Sequence, residues 1–171
     1  MRKIILGLAV SLDSFIEGPN GEYDWCFTDQ DYGMSDFFKR VDTVFMGRKS
    51  YELTQNVKES NSWMPPMKTY VFSNTLTAAG EGVTLVSGDI EKQITAIKKE
   101  EGKDIWLFGG AVLTSALMKL KLVDELWLAV HPIILGSGKP LFNDIANRIP
   151  LNLVDTKTYS TGLISLTYTL K

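Results

Sequence analysis

Two short segments of this 171-residue chain carry the residue types that bind phosphate groups. The first is MGRKS at residues 46–50, which follows an apolar run. Gly47 lets the backbone approach a ligand, and the planar fork of Arg48 matches a phosphate monoester. Lys49 and Ser50 add an ammonium group and a hydroxyl donor. If a helix begins here, its free N–H groups and its dipole also attract an anion. A helix start with exposed basic residues and no ligand is the alternative.

The second segment is LFGGA at residues 107–111, again after an apolar run. Gly109 and Gly110, between Phe108 and Ala111, remove the side chains that would keep a pyrophosphate away from a helix start. The spacing G-x-G-x-x-G and the acidic residue of the next strand are missing, which excludes an ordinary Rossmann site. A tight turn without a ligand is the alternative.

Ser73 and Asn74 form a third polar point, at the end of another apolar run. Their hydroxyl and amide groups can donate to the same anion, although Ser and Asn are also common turn formers. The carboxyl ends of parallel strands meet at one edge of a sheet, where ligands bind. We therefore expect one phosphate-binding edge.

The order of apolar and amphipathic runs predicts the sheet that brings these segments together. A turn-rich loop is expected at residues 12–29, and Ser160, Thr161 and Gly162 predict a hairpin. The fold class is α/β, with a mainly parallel sheet of about eight strands, helices on both faces, a C-terminal antiparallel hairpin and a single domain over 1–171. Strands are expected at 3–11, 41–46, 68–73, 83–87, 104–108, 124–134, 151–159 and 163–170, and helices at 31–40, from 47 to about 53, 90–99 and 111–120.

Composition excludes several classes of function. A net charge of −2 and an apolar fraction of 44% provide no basic field for nucleic acid or an acidic membrane. Cys26 is the only cysteine and His131 the only histidine, which leaves no disulfide and no zinc cluster. We expect no metal site, an inert Cys26, a structural His131 and a cytoplasmic protein.

Three motifs carry a family resemblance. MGRKSYE at 46–52 looks like the helix-start motif of dihydrofolate reductases. SLDSFIEGPNG at 11–21 resembles the SLDGFIAGPDG segment of the reductase domain of the riboflavin-pathway deaminase-reductases. LFGGAVL, LVDELWL and ILGSGKPLF, between residues 106 and 142, resemble the same family. The resemblance implies a dihydrofolate-reductase-like fold and a homodimer, and the run LVDELWLAVHPII at 122–134 offers either a self-association surface or an interior strand.

The resemblance also implies an NADPH site along the carboxyl edge. By position, Arg48 would meet the adenosine 2′-phosphate, with Ser73 as a helper. The phosphate bridge would lie on Lys49, Ser50, Gly109, Gly110 and Ala111, and Gly47, Asn74 and Phe108 are further candidates for binding the cofactor. The nicotinamide would lie on Ala9, Val10 and Ile16, although these apolar residues fit a core role equally well.

The substrate half of the site departs from both parent families. Dihydrofolate reductases carry a carboxylate where this chain has Met34, and a thioether cannot relay a proton. Ser14 and Glu17 replace small residues of the deaminase-reductase segment. Asp13 is the candidate for orienting a heterocyclic substrate, or else a turn cap, and Trp25 can stack on a planar ring or serve the structure.

The sequence therefore predicts an NADPH-dependent reductase of a small heterocyclic compound, related to 5-amino-6-(5-phosphoribosylamino)uracil reductase. Two alternatives stay open: a dihydrofolate or pterin reductase, and a nucleotide-binding module that kept the fold and lost the reaction. Hydride transfer requires little side-chain chemistry, because the cofactor carries the hydride. The missing catalytic triad is therefore compatible with an enzyme.

Overall fold

The structure is a computed structural model that describes residues 1–56 and 64–171. Apolar runs form the strands, and runs with one apolar face form the helices. The strands are β1 Ile4–Ser11, β2 Phe15–Glu17, β3 Val41–Gly47, β4 Lys68–Phe72, β5 Val83–Val86, β6 Asp104–Gly109, β7 Glu125–His131, β8 Lys139–Pro140, β9 Leu151–Thr158 and β10 Ile164–Leu170. The helices are α1 Met34–Arg40, α2 Arg48–Asn56, α3 Ile90–Lys99 and α4 Ala111–Lys119.

Eight strands form one sheet in the order β5-β4-β3-β6-β1-β7-β10-β9. The first six are parallel to one another, whereas β10 runs antiparallel to both β7 and β9. The expected α/β class, the mainly parallel eight-stranded sheet and the C-terminal hairpin are confirmed. The carboxyl ends of β3, β4, β6 and β1 therefore meet at one edge.

Two apolar clusters cover the two faces of the sheet. Ile94 of α3 and Leu117 of α4 pack with Leu6 and Leu107 on one face. Phe37 of α1 and Tyr51 of α2 belong to the cluster on the other face. This distribution follows from the alternation of side chains along each strand, and it confirms helices on both faces. The helices packed on the two faces hold the strands in place, and with them the polar residues at the strand ends.

Three expectations about local structure need correction. The helix expected at 31–40 begins at Met34, because Gly33 has a left-handed φ of 87° and the Asp31 carboxylate accepts bonds from the Gly33 and Ser35 N–H groups. The expected loop at 12–29 contains β2, which pairs with β8 in a two-stranded sheet. The run at 122–134 offers no free strand edge, because β7 pairs with β1 on one side and with β10 on the other.

Candidate functional site

The two glycine-containing junctions lie side by side. β3 and β6 are neighbours, and Met46 is paired with Gly109 in their register. The Gly110 N–H donates to the Ser50 hydroxyl at 3.1 Å, which links the start of α4 to the start of α2. The Gly109–Gly110 peptide bond is cis. Two helix N-termini therefore face the same edge of the sheet, an arrangement that favours a phosphate chain.

Thr114 adds a buried hydroxyl to this junction. Its side chain is fully buried in the first turns of α4, and its Oγ1 has no hydrogen-bond partner among the described residues. A Cβ built on Gly109 would lie 3.8 Å from this Oγ1, so the hydroxyl sits beneath the glycine backbone. Because a buried hydroxyl without a partner costs free energy, its position beside two helix starts fits an anionic group there.

Arg48 is held by its own helix. Its Nη1 donates to the two carboxylate oxygens of Glu52 at 2.8 and 3.1 Å, one turn further along α2. Both side chains are partly exposed, so this ion pair contributes little to stability and can open at small cost. A phosphate at this position would compete with Glu52 for the guanidinium.

Ser73 and Asn74 adopt turn roles at the end of β4. The Ser73 Oγ accepts bonds from the N–H groups of Thr75 and Leu76 at 3.1 and 3.0 Å. The Asn74 Oδ1 accepts from the Gly88 N–H at 3.4 Å, across to the end of β5. These contacts correspond to the turn alternative, while both residues still lie at the carboxyl edge, one strand away from Gly47.

The residues assigned to the nicotinamide do not share one environment. Val10 is buried in the core cluster beneath α3 and α4. Ile16 is partly buried and packs against the same cluster from β2. Ala9 alternates with Val10, points to the opposite face and is partly open to solvent. Of the three side chains, Ala9 is the one that the strand places on the face of α1.

Asp13 links two loops. Its Oδ1 accepts from the Ser11 hydroxyl at 2.6 Å and the Leu135 N–H at 3.1 Å, and its Oδ2 accepts from the Gly136 N–H at 2.8 Å. The Ser11 hydroxyl bond and these backbone bonds hold the pKa of Asp13 below its usual value. The carboxylate therefore has the partners of a loop cap, which is the alternative to substrate orientation.

His131 is a structural histidine in the described structure. Its Nε2 accepts from the Phe27 N–H at 3.1 Å, which places the proton on Nδ1, 3.0 Å from the Ala129 carbonyl oxygen. Burial lowers the pKa of His131, so the ring is neutral. Trp25 packs edge-on against this ring at 5.3 Å, and its buried Nε1 has no partner among the described residues. The Nε2 atom of His131 thus anchors the loop that contains Trp25, while Nδ1 bonds within β7.

Met34 contributes packing, and no acid replaces it. Its side chain lies against the cluster that contains Phe37 and Trp106. The two acids nearby serve other contacts: Asp36 pairs with Lys39 at 2.7 Å, and the Ser35 hydroxyl bond lowers the pKa of Asp31. Both acids are exposed and serve these local contacts.

The two residues of the SLDSFIEGPNG segment that differ from the family pattern, Ser14 and Glu17, each have a local structural explanation. Ser14 has a φ of 68°, in the left-handed region where glycine is the usual residue. Glu17 forms an ion pair with Lys139 that joins β2 to β8. Both changes alter the small sheet and the loop beside β1, and neither adds a free charged group to the carboxyl edge.

Sequence reasoning missed three residues of the junction: Thr114, Glu52 and Val112. Val112 is 87% exposed in the first turn of α4. A threonine or valine inside a predicted helix gives no signal by itself, but a polar residue four positions after a glycine pair is detectable. The i, i+4 spacing of Arg48 and Glu52 was also readable as a helix ion pair.

Among residues 1–56 and 64–171, the structure groups no three His, Cys, Asp or Glu side chains as a metal site. In the same ranges, every helix is too short or too polar to cross a bilayer. Burial and the neighbouring Asp24 raise the pKa of Cys26 to about 11, which keeps it as an unreactive thiol at neutral pH.

The chain is similar to known proteins both in sequence and in structure. The sequence model described as the RibD C-terminal domain matches residues 2–165. The chain is 44% identical to the Bacillus subtilis protein YyaP, over 98% of this chain and 94% of that protein. A putative riboflavin biosynthesis protein from Shewanella superposes with a TM-score of 0.87 at 27% identity, covering 100% of this chain and 99% of the other.

A dihydrofolate reductase from Enterococcus faecalis, solved with NADP(H), superposes with a TM-score of 0.72. Its identity to this chain is 18%, and the match covers 99% of this chain and 96% of that one. At this identity the likeness concerns the fold alone. The fold expected from the sequence, dihydrofolate-reductase-like, is thereby confirmed.

Proposed function

Because the chain belongs to the RibD C-terminal domain family, we propose that it is an NADPH-dependent reductase. It transfers a hydride to a small heterocyclic substrate, in a reaction related to that of 5-amino-6-(5-phosphoribosylamino)uracil reductase. The proposal includes a cytoplasmic homodimer. Since Met34 stands where a dihydrofolate reductase has its carboxylate, dihydrofolate is not the proposed substrate.

The buried hydroxyl of Thr114 is the observation that carries the cofactor assignment. It lies without a described partner next to two glycines and two helix starts. A pyrophosphate at this point would meet the backbone N–H groups of two helix starts and hydroxyl donors, while the Glu52 carboxylate nearby is paired with Arg48. The residues that would hold it are Gly47, Lys49, Ser50, Phe108, Gly109, Gly110, Ala111 and Thr114.

The remaining residues would orient and select the cofactor. Arg48 would exchange one or both of its bonds to Glu52 for the 2′-phosphate, with Ser73 and Asn74 at the neighbouring strand end. Ala9 would lie beside the nicotinamide, with Val10 and Ile16 supporting the strand and loop around it. The bound cofactor supplies the hydride, and the chain supplies orientation and exclusion of water.

The decisive experiment compares two cofactors on two arginine variants. NADPH should quench tryptophan fluorescence in a saturable way, and Arg48→Ala should weaken NADPH binding roughly tenfold to a hundredfold, the range of a charged hydrogen bond. NADH lacks the 2′-phosphate, so its affinity should fall much less in Arg48→Ala. Arg148→Ala, which removes an exposed arginine from a loop, should leave both affinities unchanged. Equal losses for NADPH and NADH in Arg48→Ala would remove the 2′-phosphate assignment.

A second candidate, a nucleotide-binding module without a reaction, is favoured by one observation. Asp13, the titratable side chain proposed for the site, and His131, the structural histidine, both have their polar atoms occupied by other parts of the chain. NADPH oxidation measured over a panel of pterins, pyrimidines and flavins separates the two candidates. Substrate-dependent oxidation supports the reductase, whereas tight NADPH binding with no turnover over the whole panel supports the module.

A further inference from the structure

The charges of α2 are arranged differently from those of α1 and α3. Both of those helices follow the helix dipole, with an acidic residue in the first turn and basic residues in the last turn. α2 has no acid in its first turn and no base in its last turn, and it begins with Arg48 and Lys49. Basic residues at the positive end of a helix lower its stability. Helix stability therefore gives no reason for these two residues, whereas binding of an anion does.

Glu52 stands one turn after Arg48, so the order of the two charges is also reversed. An acid four residues before a base is the better arrangement on a helix, because it agrees with the dipole. The side chains of Arg48 and Glu52 are 41% and 45% exposed, and water screens their attraction. Among the described residues, Arg48 is the one partner of the Glu52 carboxylate. The pair therefore adds little to the stability of the fold.

The ion pair leaves part of the guanidinium open. Both bonds to Glu52 come from Nη1, and no described residue accepts a hydrogen bond from Nε or Nη2 of Arg48. A phosphate can take two donors of a guanidinium in a bidentate contact. If Glu52 keeps its bonds, its carboxylate repels that phosphate, and if it loses them, it has competed for the arginine. In both cases Glu52 opposes a 2′-phosphate.

A carboxylate at this position has a second use. In dinucleotide sites a carboxylate accepts a hydrogen bond from the ribose 2′-hydroxyl of NAD, whereas an arginine accommodates the 2′-phosphate of NADP. Arg48 and Glu52 place both groups on one turn of α2, in direct contact. A ribose that reaches Arg48 therefore also reaches a carboxylate acceptor.

On the basis of the proposed function, we propose that Glu52 is a specificity-determining residue that lowers the preference for NADPH and admits NADH as a second cofactor. With NADPH, Arg48 binds the 2′-phosphate against the charge of Glu52. With NADH, the Glu52 carboxylate accepts from the ribose 2′-hydroxyl, and Arg48 neutralises its charge. The natural chain then binds both cofactors, and NADPH more tightly.

The test compares the affinities of NADPH and NADH, measured by tryptophan fluorescence, in the natural chain and in Glu52→Gln. Glutamine keeps the length of the side chain and removes its charge. Glu52→Gln should bind NADPH roughly threefold to tenfold more tightly, because the repulsion of the phosphate is lost. It should bind NADH roughly twofold to fivefold more weakly, because the ribose loses a charged acceptor.

Glu100→Gln provides the matched control. The Glu100 carboxylate is 44% exposed, close to the value for Glu52, and it is paired with Lys68 at 3.7 Å. Lys68 begins β4, so this pair lies at the opposite end of the parallel strands from the carboxyl edge. The same change of charge should leave both affinities as they are in the natural chain.

The salt dependence of binding separates charge from shape. Repulsion between exposed charges is screened at high ionic strength, so the gain of Glu52→Gln for NADPH should shrink between about 0.02 M and about 0.3 M salt. The loss for NADH, which depends on a direct hydrogen bond, should change less. A role of Glu52 in packing or in helix stability would affect the two cofactors alike at each salt concentration.

Three results would overturn the proposal. Weaker NADPH binding by Glu52→Gln would mean that Glu52 supports Arg48, and equal changes for both cofactors would mean that it does not select between them. A natural chain that binds NADPH but shows no NADH binding at millimolar concentration would exclude the second cofactor. A chain that binds neither cofactor contradicts the proposed function as well, whereas a selective loss of NADPH in Arg48→Ala beside an unchanged Glu52→Gln contradicts the role of Glu52 alone.

Discussion

Replacing Thr114 by valine removes a buried hydroxyl that has no partner among the described residues and leaves a side chain of the same shape. Burial of an unpaired hydroxyl costs about 1–3 kcal/mol. Valine and threonine also have similar helix propensities. The ligand-free Thr114→Val variant should therefore be more stable by about 1–2 kcal/mol, and for a chain of this size each kcal/mol raises Tm by roughly 2–4 °C.

Thr43 provides the matched control. It is as fully buried as Thr114, but its hydroxyl accepts from Arg2 Nη2 at 2.5 Å and donates to Asp42 Oδ1 at 2.8 Å. Thr43→Val removes one partner from each of these charged groups and should cost about 1–3 kcal/mol. The same chemical change should thus have opposite signs at two equally buried positions.

The assay is thermal and denaturant unfolding of both variants without cofactor, followed by NADPH titration. If the Thr114 hydroxyl meets the cofactor phosphate, Thr114→Val should bind NADPH roughly tenfold more weakly while being more stable. A lower Tm for ligand-free Thr114→Val would refute the reasoning, since it would mean that the hydroxyl is paired in solution. Greater stability with unchanged NADPH affinity would refute only the phosphate contact.

Three further predictions concern the loops around the site. Ser14→Gly should raise the free energy of unfolding by about 0.5–1 kcal/mol, because Ser14 has a left-handed φ of 68°; Ser87→Gly, where φ is not positive, should lower it in the same denaturant titration. The folded state lowers the pKa of His131 below 6.5, so the unfolded chain takes up this proton first. The stabilisation that comes from this difference in the pKa of His131 is complete above pH 6.5. It decreases as the pH falls toward the pKa that His131 has in the folded protein. His131→Gln should remove this part of the pH dependence, and an identical pH profile for both proteins would contradict the assignment. Cys26, with a pKa of about 11, should react slowly with a disulfide reagent at neutral pH until the protein unfolds; rapid reaction of the folded protein would count against its burial.

The sequence determined the strands of the large sheet, the helices and the two phosphate-type junctions, because these are encoded locally. Apolar runs between turn residues mark buried strands, and Gly47, Gly109 and Gly110 follow such runs directly. The parallel order then places strand ends at one edge without any knowledge of contacts. The start of α1 was placed three residues early, since the effect of Gly33 and Asp31 depends on backbone conformation.

The tertiary structure alone decided what the polar side chains do. Asp13 had two readings until the loop at Leu135 and Gly136 supplied its donors, from more than a hundred residues away. His131 likewise gained Phe27 as its partner, and Thr114 became notable because no described partner reaches it. A hydrogen bond depends on distance and direction between groups far apart in sequence, whereas a strand depends on the pattern of its own residues. The position of β9 at the edge of the sheet also depends on contacts between distant segments, since only the sheet order shows that β9 has a neighbour on one side alone.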